Sequence, residues 1–147
     1  MIIHYLDPSA WVKRYFEEVG SEAASTVFDD AECLACSTFG IPEIAATIAR
    51  KGRHENLTRE TLDALIAQAR EDFLLFERVS LSDEMVGRAE LLAFEHRLRA
   101  GDAVHLASAL FLTLRQDSPQ VTMVSTDAEL LAAAKSKGLS VTSPGRP

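Results

Sequence analysis

Four acidic residues stand at comparable places in this 147-residue chain. Asp7 closes the apolar run "IIHYL", Glu43 follows Pro42, Asp102 follows Gly101, and Asp127 follows "VTMVST". Each has a plain reading. Asp7 suits a helix N-cap, with Pro8 at the first helical position. Glu43 complements a helix dipole in the first turn. Asp102 can cap a helix after Gly101. Asp127 lies in "TDAE", which scans as a capping box with Thr126 as cap and Glu129 reaching back. Capping, however, does not require all four to gather at one edge of one sheet. Carboxylates brought that close repel one another unless a cation joins them. Hard oxygen ligands around open positions suit Mg²⁺ or Mn²⁺. Ions held in this way activate water and steady the charge that develops on a phosphodiester, so no covalent nucleophile is required.

The elements that must position these acids alternate between strand and helix. "IIHYL" reads as strand one, "PSAWVKRYFEE" as a helix, and "GSEAASTVFDDA" as another after Gly20. "CLACS" is a short strand, and Pro42 opens a helix that Gly52 should stop. From Thr58 onward, Leu62, Leu65, Ile66, Ala69, Phe73 and Leu74 recur at helical spacing. "FERVSL" is a weak strand, and Ser82 caps a helix striped by Met85, Val86, Ala89, Leu92 and Ala93. Gly101 breaks that pattern and "DAVHLASALFLTLRQ" resumes it. "VTMVS" is a strand, "DAELLAAAKSKG" a helix ended by Gly138, and "LSVTS" a last strand. The expected fold is α/β and rich in helix, with a mostly parallel sheet covered on both faces. Ligand sites in open parallel sheets lie beyond the carboxyl ends of the strands. Asp7, Glu43 and Asp127 fall where a strand hands over to a helix, and Asp102 begins a helix that can pack at the same edge.

Length and composition narrow the classes. The size predicts a single domain over residues 1–147. A chain with 47% hydrophobic and 25% charged residues is ordinary for a soluble globular protein. No apolar stretch is long enough to span a membrane and no signal-type segment opens the chain, so a cytoplasmic location is expected. The net charge of −7 argues against nucleic-acid binding by bulk charge alone, yet suits a carboxylate cluster awaiting cations. Cys33 and Cys36, the only cysteines, read as buried reduced thiols on a strand rather than a metal or redox pair. There is no convincing Ser/His/Asp or Cys/His set, no phosphate-binding loop and no dinucleotide fingerprint. An aspartyl-phosphate phosphatase usually has a second Asp two residues after the first, where this chain has Ser9. A receiver domain needs a late Lys that "VTMVSTD" does not offer.

Together these stretches resemble the PIN-domain ribonucleases, in particular VapC-like toxins of toxin–antitoxin pairs. The resemblance runs through "YLDPSAWVKRYFEEVGS", "PEIAATIAR", "LRAGDAVHLASAL" and "VSTDAELLAAAKSKGL", nearly the whole chain, and the third string is the most distinctive. It implies a PIN-like α/β/α sandwich in which Asp7, Glu43, Asp102 and Asp127 form an acidic quartet that holds Mg²⁺ or Mn²⁺ and positions the attacking water. Ser9 and Ser125 match the polar residues that support the quartet. Pro8 departs mildly from the pattern, where a small residue is commoner. The resemblance also implies an RNA substrate, a homodimer and a cognate VapB-like antitoxin whose tail enters the groove. The competing expectation is a binding module that keeps the fold and holds RNA or a protein without cutting.

Three further readings come from the residues. His105, three after Asp102, is expected to be a partly buried histidine hydrogen-bonded near the site rather than a ligand or a base. Lys13, Arg14, Arg50, Lys51, Arg53, Arg97 and Arg99 flank the acidic motifs and can hold a phosphate backbone, or simply be solvated. Trp11 and Tyr15 are expected in core or dimer packing. The helices from 58 to 98 carry apolar stripes beyond what a small sheet needs, which suits a dimer or antitoxin surface.

Overall fold

A computed structural model of the chain describes residues 1–145. Strands β1 (Ile2–Leu6), β2 (Cys33–Ser37), β3 (Glu77–Val79), β4 (Gln120–Val124) and β5 (Ser140–Thr142) form one sheet in the order β3-β2-β1-β4-β5. Every described pairing is parallel. β1 is the central strand, with Ile3 opposite Cys33 of β2 and Leu6 opposite Val124 of β4. A strand covered on both faces needs apolar side chains in both directions; Ile3, Tyr5 and Leu6 are all fully buried.

The helices are α1 (Pro8–Trp11), continued by a 3-10 turn over Val12–Arg14, α2 (Ser21–Asp30), α3 (Gly40–His54), α4 (Arg59–Phe73), α5 (Asp83–His96), α6 (Ala100–Leu112) and α7 (Ala128–Ser136). They pack as two sets. α3 touches α1 and α4, and α2 touches the 3-10 turn; α6 touches α5 and α7. Right-handed crossovers produce this split. The chain steps outward from β1 through β2 to β3, then returns to place β4 and β5 on the other side of β1. The result is the expected α/β/α sandwich, and its direction of winding reverses between β1 and β4.

Three boundaries and one burial differ from expectation. The helix after Asp7 stops by Arg14 rather than Glu18, because Tyr15 bonds Asp72 at 2.6 Å and Glu18 folds back onto Lys13 at 3.2 Å. Gly52 lies inside α3, which runs on to His54; a Cβ there would collide with Leu62 of α4, so its bareness serves close helix packing. The break before α6 falls at Arg97, which adopts the left-handed conformation (φ 55°), and Gly101 sits in the first turn of α6. Only Cys36 of the two free thiols is buried; Cys33 is partly exposed. Trp11 lies in the core against Phe73 and Phe76, as expected. Among the described residues, no helix is long and apolar enough to cross a membrane.

Candidate active site

Asp7 extends β1 by one residue, and its N–H still bonds the Val124 carbonyl at 3.0 Å. Its backbone occupies the N-cap position of α1, but its side chain caps nothing. Instead Oδ2 accepts from the Ser9 hydroxyl at 2.5 Å and the Ser125 hydroxyl at 3.0 Å. Both hydroxyls are themselves fixed: Ser9 Oγ accepts from the Thr126 N–H at 3.1 Å, and Ser125 Oγ from the Asp127 N–H at 3.0 Å. A buried carboxylate locked through one oxygen is left with the other, Oδ1, for chemistry. Its position between β1 and β4 is the place where parallel sheets put ligands.

The other three acids reach the same edge by different means. Asp127 is the true cap of α7, Oδ1 accepting from the N–H groups of Glu129 and Leu130 at 2.9 and 3.0 Å. Thr126 is not the cap, and this correction leaves Asp127 Oδ2 unspent. Asp102 lies in the first turn of α6, whose cap position is Arg99, so Asp102 caps nothing either. Burial first, then the charges of Asp7 and Asp127, push its carboxyl up to about 6. All three of these acids line the same cleft, near enough for their charges to act on one another. Glu43 projects from the first turn of α3, and His105 Nε2 hydrogen-bonds its Oε1.

His105 hydrogen-bonds near the site as expected, but it is fully rather than partly buried and stands behind the site. Nδ1 meets the Tyr5 hydroxyl at 2.7 Å, and that hydroxyl accepts from the Ser37 N–H at 2.9 Å. Burial holds Tyr5 as a neutral phenol by raising its pKa. Because the Glu43 carboxylate can only accept, the proton is assigned to Nε2, in the neutral or the cationic ring alike. Nε2 also lies 3.9 Å from Asp7 Oδ1. Sequence reasoning passed over Tyr5. Its signal was a hydroxyl at an inward position of the central strand, whose other buried residues, Ile3 and Leu6, are aliphatic.

The four acids and Ser9 line one open cleft of about 880 Å³. Of the flanking basic residues, Lys13, Arg50, Lys51 and Arg99 line it as well, while Arg14, Arg53 and Arg97 do not. Arg14 pairs instead with Asp29 at 3.3 Å. Lys13 and Lys51 both grip Glu18, at 3.2 and 2.6 Å; burial pulls its carboxyl upward, but the two ammonium groups outweigh burial and hold it below the ordinary range. Arg50 and Arg99 have no carboxylate partner among the described residues.

In donor type the cleft fits a hard divalent cation: among the described residues its lining offers carboxylate and hydroxyl oxygens and no cysteine. Burial and the neighbouring carboxylates of Asp7 and Asp127 together outweigh His105 and Arg99 in raising the Asp102 carboxyl. Among the described residues no three His, Cys, Asp or Glu side chains already stand close enough to cage one ion. The side chains as placed form an open, acidic mouth, with Glu43 drawn toward His105.

Residues 4–136 match the family model described as PIN domain. This chain belongs to the PIN-domain family. It is 40% identical over 111 residues to proteins named Ribonuclease VapC45 and Ribonuclease VapC49, both from Mycobacterium tuberculosis, the match covering 75% of this chain and 76% of each of those. The PIN fold is shared with solved structures of low identity. One is a toxin–antitoxin complex from Klebsiella pneumoniae (15% identity, TM-score 0.65, covering 96% of this chain and 97% of that one). Another is Mycobacterium tuberculosis VapC20, described as a sarcin–ricin loop cleaving toxin (15% identity, TM-score 0.66, covering 88% and 94%).

Proposed function

We propose that this PIN domain is a metal-dependent endoribonuclease and the toxin of a toxin–antitoxin pair. The observation that carries the reading is Asp7: buried, relieved of capping, locked by two serines, and sharing a cleft with three other carboxylates. Asp7, Glu43, Asp102 and Asp127 would hold Mg²⁺ or Mn²⁺. When bound, such an ion lowers the pKa of water and offsets charge on the phosphate. The chain's own residues do the rest. Ser9 and Ser125 keep Asp7 Oδ1 facing the cleft, and Arg50 and Arg99, without a salt-bridged carboxylate among the described residues, offer guanidinium groups to the RNA backbone.

The names of the relatives support an RNA substrate, and the toxin–antitoxin neighbours support a VapB-like antitoxin as partner. A homodimer and a cytoplasmic location complete the reading. The exposed Leu91 and Phe94 of α5 supply apolar surface suited to the dimer. The test is cleavage of a mixed RNA pool in Mg²⁺, Mn²⁺ or EDTA by wild type and Asp7→Asn. Cuts that need the metal and vanish in the variant support the nuclease. RNA retained by both proteins but cut by neither supports the binding module instead.

A further inference from the structure

We infer that His105 is a positioning residue for Glu43, aiming its carboxylate from behind the cleft through a relay that begins in the central strand. The inference rests on the acidic-site reading above. The relay has three links: the Ser37 N–H donates to the Tyr5 hydroxyl at 2.9 Å, that hydroxyl meets His105 Nδ1 at 2.7 Å, and His105 Nε2 donates to Glu43 Oε1. The first two links are fully buried and lie on β1, β2 and α6, elements of the core. The imidazole is therefore fixed in place and tilt before Glu43 meets it.

Glu43 itself is not fixed by its own element. It rides on α3 with its side chain 30% exposed, and a free glutamate there would sample several rotamers. His105 selects one. The other carboxylate oxygen, Oε2, lies over Gly101, where a Cβ would come within 3.1 Å. The missing side chain at 101 and the imidazole at 105, one turn apart on α6, together form the seat for Glu43. His105 Nε2 is also 3.9 Å from Asp7 Oδ1, too long for a hydrogen bond, so its one donor is spent on Glu43 while Ser9 and Ser125 hold Asp7. Polar groups behind metal ligands orient them in this way, and losing one commonly costs about 10–100-fold in metal affinity.

Two amides separate this role from simple core filling. In His105→Gln the side-chain nitrogen can reach the place of Nε2 and still donate to Glu43. In His105→Asn it reaches only the place of Nδ1, satisfying Tyr5 and leaving Glu43 without a partner. Mn²⁺ titration by calorimetry on wild type and both variants, with thermal melts of the metal-free proteins, gives the readout. The expected result is Mn²⁺ affinity near wild type for His105→Gln and about tenfold or more weaker for His105→Asn. The melts should not rank the two variants in that order. Equal affinity in all three proteins, or losses that simply follow the melting temperatures, overturns the positioning role while leaving the acidic site intact. Wild type that takes up no Mn²⁺ overturns the acidic-site reading itself, and this inference with it.

Discussion

The hydroxyl of Ser125 joins two acids of the cleft: it accepts from the Asp127 N–H at 3.0 Å and donates to Asp7 Oδ2 at 3.0 Å. One buried side chain thus ties the end of β1 to the start of α7. Replacing it with alanine leaves a buried N–H and half of a carboxylate's hydrogen bonding unmet. Ser125→Ala should lose about 1–3 kcal/mol in denaturant unfolding and about tenfold or more in cleavage rate. A variant that loses stability but keeps its rate shows that Ser125 braces the fold alone.

Asp102 makes the acidic cleft a source of pH dependence. Burial, followed by Asp7 and Asp127, lifts its carboxyl from 3.8 to about 6. The folded state therefore binds this proton more tightly than the unfolded chain does, and stability is lost as pH rises from 3.8 to about 6. Asp102→Asn removes a repelled charge. In EDTA its melting temperature should exceed that of wild type at pH 7.5, and the gap should shrink toward pH 4.5. A gap that stays constant across that range contradicts the shared field.

Gly101 predicts an opposition between stability and activity. A Cβ at this position would stand 3.1 Å from Glu43 Oε2 and push the carboxylate aside. Alanine is otherwise the better helix former by roughly 1 kcal/mol. Gly101→Ala should melt no lower than wild type yet cleave roughly tenfold slower. Retained cleavage would mean that Glu43 tolerates displacement.

The basic residues divide by position. Arg50 and Arg99 line the cleft without a carboxylate partner among the described residues, whereas Arg53 and Arg97 lie outside it. RNA binding, measured on Asp7→Asn protein, should show a salt dependence whose slope falls by about 0.7 for each of Arg50→Ala and Arg99→Ala. Arg53→Ala and Arg97→Ala should leave the slope unchanged. Equal effects from all four would point to a diffuse field instead of a defined track.

Much of this arrangement was legible in the sequence because strand ends and helix starts carry local signals. Asp7 after "IIHYL", Ser82 before a striped helix and Gly138 after another all stand where the local chemistry puts them. What was not legible depends on partners far along the chain. Gly52 looks like a stop signal until Leu62 of the next helix is seen against it. Arg97 takes a left-handed turn that its type does not announce. Thr126 and Asp127 are both good caps on paper; Asp127 takes the role because Ser125 holds its N–H and Ser9 holds that of Thr126. Tyr5 and His105 are 100 residues apart, and no spacing rule joins them.

The central claim is that Asp7 and its three neighbours act as one divalent-cation site. Anomalous diffraction from crystals grown with Mn²⁺ tests it most directly. The account predicts a manganese peak in the cleft, bonded to Asp7 and at least one of Glu43, Asp102 and Asp127, and absent in Asp7→Asn crystals. Ordered Mn²⁺ elsewhere on the molecule with none in the cleft would contradict it.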